Sequence, residues 1–113
     1  AVVSHWIADN NAQVILMTGG TGFAGRDSTP EAILPLLDKT IEGFGELFRQ
    51  LSYDDIGTST IQSRAFAGLA NRTLIFALPG STGACELGFS QIIKPQINSQ
   101  SKPCNFYGQI KLT

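Results

Sequence analysis

Met17-Thr18-Gly19-Gly20-Thr21-Gly22-Phe23-Ala24-Gly25-Arg26-Asp27-Ser28-Thr29-Pro30-Glu31 decides the fold. An apolar run, Val14-Ile15-Leu16-Met17, precedes it, and a helix start signal closes it. Strand, glycine-rich turn and helix is an arrangement that binds phosphate. Glycines let backbone N–H groups approach an anion, and a helix N-terminus adds partial positive charge. The stretch is not a P-loop, because no Gly-Lys-Ser/Thr follows, and it lacks the spacing of the dinucleotide fingerprint. Asp27 sets it apart. A carboxylate beside a phosphate repels it unless a cation stands between them, and Mg²⁺ is the usual cation, held by carboxylate and phosphate oxygens. The simpler reading is a flexible turn over Gly19 to Gly25 with Asp27 capping a helix; the loop alone leaves both open.

Working outward, Val14 to Thr18 reads as a strand covered on both faces, being continuously apolar and bounded by Asn and Gly. Upstream, apolar residues at positions 2, 3, 6 and 7 have helical spacing, with His5 as a surface or interface residue. A chain that opens inside a helix just before a buried strand reads as one whose preceding βα unit is missing. Downstream, the helix starts either with Thr29 as N-cap and Pro30 in its first position, or with a Ser28–Glu31 capping box. Pro35 bends or shortens it. A second helix is expected over about 44–53 from Leu47, Phe48 and Leu51. Gly43 and Gly45 either admit a bound ring beside Phe44 or make a tight start to that helix with Phe44 in the core. Glu46 either faces a site or caps the helix.

Gly57-Thr58-Ser59-Thr60-Ile61-Gln62-Ser63-Arg64 is a polar loop, or a site whose hydroxyls and guanidinium hold phosphate. Residues 65–70 and 73–78 are two short strands joined at Asn71-Arg72 in a tight hairpin, since Asn tolerates positive φ. Pro79-Gly80-Ser81-Thr82-Gly83 is a second strand-to-helix turn. The helix after it carries Ala84, Leu87, Phe89, Ile92 and Ile93, with Pro95 near its end and a polar tail from Gln96. In open α/β sheets ligands collect at the carboxyl ends of strands, so the two turns and the Ser63-Arg64 loop are expected to meet.

The 113 residues make one domain, with 42% apolar and 15% charged residues, as in a globular chain. A net charge of −1 with 8 scattered Lys and Arg argues against nucleic-acid binding. No apolar run approaches the ~20 residues that span a bilayer, and no leader suggests secretion. Cys85 and Cys104 form no metal-ligand pattern and read as reduced thiols of a cytoplasmic protein.

Thr18-Gly19-Gly20-Thr21-Gly22, Arg26-Asp27-Ser28-Thr29-Pro30-Glu31-Ala32, Gly43-Phe44-Gly45-Glu46, Ser63-Arg64 with Ala67-Gly68, and Leu78-Pro79-Gly80-Ser81 occur in this order. Together they resemble the MoaB/MogA family of molybdenum cofactor biosynthesis proteins. Ile41 to Arg49, Ile56 to Thr60 and Lys102 to Phe106 most resemble its bacterial MoaB branch. The resemblance covers nearly the whole chain. It implies a single molybdopterin-binding α/β domain over 1–113 lacking its N-terminal βα unit. The implied fold is three-layer α/β/α, Rossmann-like, with a mostly parallel central sheet and a small hairpin, and the implied assembly is a homotrimer or hexamer. In active members it implies Mg²⁺- and ATP-dependent adenylylation of molybdopterin; the alternative is a non-catalytic molybdopterin- or nucleotide-binding accessory protein. By motif position, Asp27 would be catalytic and hold Mg²⁺. Gly19, Gly20, Thr21, Gly22, Pro79, Gly80 and Ser81 would line the nucleotide and pterin sites. Ser63 and Arg64 would touch the pterin or a phosphate.

Overall fold

The computed structural model describes residues 3, 4, 7 and 13–110. His5 lies outside the described residues, as does most of the expected first helix; Val3, Ser4 and Ile7 are helical. Four strands form one sheet in the order β1-β4-β3-β2: β1 (Val14–Thr18), β2 (Lys39–Thr40), β3 (Phe66–Ala70) and β4 (Thr73–Leu78). The helices are α1 (Thr29–Ile33), α2 (Glu42–Ile56), α3 (Thr82–Gly88) and α4 (Lys94–Gln96), with a π turn, Phe89–Ile93, joining the last two.

Strand β4 organises the core. All six of its residues are buried, and its side chains alternate between two clusters as the two-residue period of a strand requires. Leu74, Phe76 and Leu78 meet Phe44 and Phe48 of α2, together with Ile92 and Ile93. Ile75 and Ala77 meet Ile15, Ile33 and Phe66 on the opposite face, where Val3, Ile7, Leu36 and Leu37 complete the cover. Both faces are thus layered with helix, and the three-layer α/β/α arrangement holds. The Phe44 ring packs edge-on against Phe76, with centroids 5.2 Å apart. Phe44 is therefore core, and the Gly43–Gly45 pair serves the helix. Gly45 lets α2 approach β3, for a Cβ there would lie 2.8 Å from the Ala65 carbonyl oxygen.

The sheet is mixed rather than mostly parallel among the described strands. Only β1 and β4 pair in parallel, Val14 opposite Leu74 through Thr18 opposite Leu78. The β3–β4 pair is antiparallel because two residues cannot carry a crossover. Asn71 and Arg72, at φ 50° and 65°, make the expected hairpin turn. β2 also runs antiparallel to β3. Strand β1 sits at the edge of the described sheet, so its two faces are not equally covered: Ile15 is buried but Leu16 is 49% exposed.

Helix limits differ in instructive ways. α2 begins at Glu42 and runs to Ile56, longer at both ends than the apolar spacing suggested; Gly57, at φ 61°, stops it. Pro35 ends α1 early, the chain passing into a 3₁₀ turn at Leu34–Leu36. Gly57–Gln62 is a 3₁₀ turn rather than an open loop, held where the buried Thr60 hydroxyl donates to the Arg49 carbonyl at 2.8 Å.

Candidate functional site

The two glycine-containing turns meet at the carboxyl ends of β1 and β4, because those strands are parallel neighbours. The Gly19 N–H donates to the Leu78 carbonyl at 2.8 Å, and Gly80 packs close enough that a Cβ would stand 3.5 Å from Gly19 Cα. Gly19 and Gly20 have φ of 92° and 72°, which only glycine adopts without strain. Their carbonyls are tied to the start of α1. The Thr29 hydroxyl donates to Gly19 O at 3.0 Å, and the Thr29 N–H to Gly20 O at 3.0 Å. Neither expected helix cap forms: Ser28 takes the N-cap position without a side-chain bond, Thr29 holds the loop, and Glu31 is engaged elsewhere. No acceptor among the described residues takes the N–H of Gly20, Thr21 or Gly22. Three successive donors therefore stand in the turn, as an anion cradle needs.

Arg64 is the clamp of this loop. Its backbone N–H donates to Thr21 O at 2.7 Å, Nε to Gly22 O at 2.8 Å, and a terminal nitrogen to Asp27 O at 2.8 Å. The other terminal nitrogen pairs with the Glu31 carboxylate, and the guanidinium carbon lies 5.0 Å from the centre of the Phe23 ring. Arg64 thus joins the loop as expected, with three of its five guanidinium N–H donors engaged by protein groups. The hydrogen bond from Arg64 holds the Glu31 carboxyl below its usual range, with Glu31's own backbone N–H and Arg64's charge adding to the effect against desolvation. A depressed folded-state value adds stability above the ordinary glutamate range, and that contribution is lost as pH falls through the depressed value. Urea unfolding of Glu31→Gln is therefore expected to differ from the unaltered chain at neutral pH. The two should converge at acid pH, once Glu31 is protonated.

Asp27 is half-buried inside the same loop. Its Oδ2 accepts from Ala24 N at 3.0 Å while its own N–H donates to Ala24 O at 2.9 Å, so the carboxylate closes its own turn rather than capping α1. One accepted hydrogen bond leaves most of a carboxylate's lone pairs for a cation. Among the described residues no group of three or more metal-ligating side chains gathers. Asp27 therefore fits Mg²⁺ as one hard oxygen ligand, the rest coming from phosphate oxygens and water.

The second turn faces a different space. A cavity of about 190 Å³ lies between α2 and α3 and is lined in part by Ser63, Pro79 and Ser81. Ser81 is the N-cap of α3, its Oγ accepting from Ala84 N at 3.2 Å, and the Cys85 thiol donates to Pro79 O at 3.2 Å. Ser63 Oγ accepts from Ala65 N at 3.3 Å. Sequence reasoning missed the α2 side of this cavity, where Phe48, Ser52, Asp55 and Ile56 share one helical face. Their spacing of four, seven and eight residues from Phe48 is the signal that finds them. It missed Arg49 too, whose guanidinium donates to Ser63 O at 3.3 Å and Ala65 O at 3.2 Å and sets the approach to Arg64.

Valine at position 20 would carry a branched side chain at φ 72° and collide with the Thr29 hydroxyl. Gly20→Val is expected to cost about 1–3 kcal/mol of stability from backbone strain and to abolish anion binding in the loop while far-ultraviolet circular dichroism keeps its shape. Unchanged nucleotide affinity in a titration would remove the loop from the site.

Residues 1–99 match a family model described as "Probable molybdopterin binding domain". The chain is 58% identical over 111 residues to molybdenum cofactor biosynthesis protein B of Escherichia coli, covering 98% of this chain and 65% of that protein. It is 56% identical over 97 residues to the protein of that name from Staphylococcus aureus, covering 85% of this chain and 57% of the relative. The crystal structure of the tungsten cofactor synthesizing protein MoaB from Pyrococcus furiosus superposes with a TM-score of 0.73 at 41% identity, covering 80% of this chain and 57% of that one. The chain thus spans about three fifths of the length of these relatives. With the turns, the aspartate and the arginine of its motifs gathered at the ends of β1 and β4, the chain belongs to the MoaB/MogA family of molybdopterin-binding domains in molybdenum cofactor biosynthesis.

Proposed function

We propose that this domain carries out the Mg²⁺- and ATP-dependent adenylylation of molybdopterin. A terminal phosphate oxygen of the pterin attacks the α-phosphorus of ATP, a phosphoanhydride bond forms, the α–β bridge breaks, and pyrophosphate leaves. The observation that carries the reading is the loop after β1. Its N–H groups at Gly20, Thr21 and Gly22 have no acceptor among the described residues, and the Asp27 carboxylate stands in the same loop. The backbone donors would hold phosphate, and Asp27 would hold the cation. Mg²⁺, when bound, neutralises charge on the phosphates. Arg64 keeps the loop in shape for both. Such catalysis needs no covalent intermediate; it rests on positioning and charge stabilisation.

The proposal extends to a single domain of a cytoplasmic protein that self-associates as a trimer or hexamer. Among the described residues no helix is long and apolar enough to cross a membrane. The test incubates the protein with molybdopterin, ATP and Mg²⁺ and measures adenylylated pterin and pyrophosphate. Equimolar formation of both supports the reading. Tight pterin binding with no product would make the chain the non-catalytic accessory protein of the same pathway.

A further inference from the structure

The glycine loop carries one side chain that holding phosphate and cation does not use. Phe23 follows directly on Gly22, and 69% of it is exposed. A lone apolar residue in water is ordinary on a protein surface. This one is set apart by how its ring is held and where it stands. The guanidinium carbon of Arg64 lies over the ring, 5.0 Å from its centre. That guanidinium is itself fixed by Gly22 O, Asp27 O and the Glu31 carboxylate. One face of the ring therefore rests on a cation tied to the loop, and the exposed area belongs to the opposite face and the edges. The neighbours in sequence do not cover it. Gly22, Ala24 and Gly25 carry nothing larger than a methyl, and a Cβ at Gly25 would meet no atom within 4 Å.

A ring fixed on one face and bare on the other is a stacking platform. Binding to it costs little rotamer freedom, because Arg64 has already restricted the side chain. Its place in the loop points to the ligand. The N–H groups of Gly20, Thr21 and Gly22, which have no acceptor among the described residues, come immediately before Phe23, and Asp27 lies four residues after it. A ligand with phosphates on those donors and its cation on Asp27 meets Phe23 with whatever is tethered to the phosphates. In a nucleoside triphosphate that group is the base, which has a flat face and hangs from a ribose with several free torsions.

Resting on the adenylylation reading above, we propose that Phe23 binds the base of ATP by stacking, through the ring face that Arg64 leaves open. The loop then holds the nucleotide at both ends: backbone donors and Asp27 take the phosphates and cation, and Phe23 takes the base. Arg64 serves this contact by holding the ring.

The test is calorimetric binding to the full chain with Mg²⁺-ATP and with Mg²⁺-tripolyphosphate, which has the phosphates and no base. Phe23→Ala is expected to weaken ATP by about tenfold or more, the usual loss when a base loses its aromatic partner, and to leave tripolyphosphate affinity unchanged. Phe23→Leu keeps apolar bulk beside Arg64 without a π face, and should lose most of the same affinity. Phe23→Trp should hold ATP at least as tightly as the unaltered chain. In turnover the Phe23→Ala loss should appear in KM for ATP with kcat kept, because a contact on the non-reacting base binds ground state and transition state alike. Unaltered ATP affinity in Phe23→Ala, a Phe23→Leu variant that binds like the unaltered chain, or no ATP binding at all would each overturn the proposal. So would a loss of tripolyphosphate affinity equal to that of ATP, which would mean that the ring only shapes the loop. A base-dependent loss in a protein that makes no adenylylated product would instead sink the catalytic reading and leave this one standing. Product formation whose KM for ATP is untouched by Phe23→Ala would do the reverse.

Discussion

Asp27→Asn should lower Mg²⁺-dependent ATP binding and product formation by about 10²–10³-fold, the usual loss when one group that stabilises charge is removed. The loop should survive the change. Among the described residues the Asp27 side chain accepts one hydrogen bond, from Ala24 N, and an asparagine carbonyl accepts it equally well. The Asp27 N–H to Ala24 O bond is made by backbone and does not change. What is lost is the negative charge that a hard cation needs. Metal-free pterin binding should therefore move by no more than about threefold, the scale of one exposed pair. Calorimetric titrations with Mg²⁺-ATP and with pterin alone separate these effects. Equal losses in both would mean that Asp27 shapes the loop and holds no metal.

Arg64→Ala is expected to have the largest effect on stability. The side chain donates to the carbonyls of Gly22 and Asp27 and pairs with Glu31 while only 24% of its surface is exposed. Hydrogen bonds from a charged group are worth more than neutral ones, and two carbonyls left without donors add a desolvation penalty. A loss of about 2–4 kcal/mol follows from those carbonyl bonds, discounted for partial exposure. Lysine should not restore it, because one ammonium cannot reproduce a planar fork that reaches three loop groups. Hydrogen exchange should show residues 21–31 opening while β3 and β4 stay protected. In the same variant Glu31 should titrate closer to the ordinary glutamate range, since its first stabiliser is gone. Protection in the loop equal to that of the unaltered protein would show that Gly19, Gly20 and Thr29 hold it unaided.

The two outcomes assign different roles within one loop. Asp27 is placed to act on a ligand, whereas the guanidinium of Arg64 acts on the loop. A sequence motif lists both as site residues because both types suit phosphate chemistry. Only the donor and acceptor count distinguishes them. Among the described residues the Arg64 guanidinium bonds three protein groups, whereas the Asp27 carboxylate accepts a single bond.

By itself the sequence determined three of the four described strands, the hairpin, the glycine turns and the family; the two-residue strand Lys39–Thr40 was not legible in it. Val14–Thr18 and Thr73–Leu78 are short apolar runs between turn residues. Asn71-Arg72 carries the only two non-glycine residues at positive φ among those described, and Gly19-Gly20 could serve no ordinary side chain. These are local properties, written in a few consecutive residues. The tertiary structure decided how they combine. It paired β1 with β4 in parallel and β3 antiparallel to β4, which brought Gly19 against Gly80 across more than sixty residues of chain. It sent Arg64 into the loop 33 residues away at Glu31, and took Thr29 and Glu31 from the caps that their spacing suggested. It also opened the cavity whose lining draws Phe48, Ser63 and Ser81 from three separate segments. Local spacing fixes which face of an element is apolar; the choice among hydrogen-bond partners is made by whichever groups the sheet brings within about 3 Å.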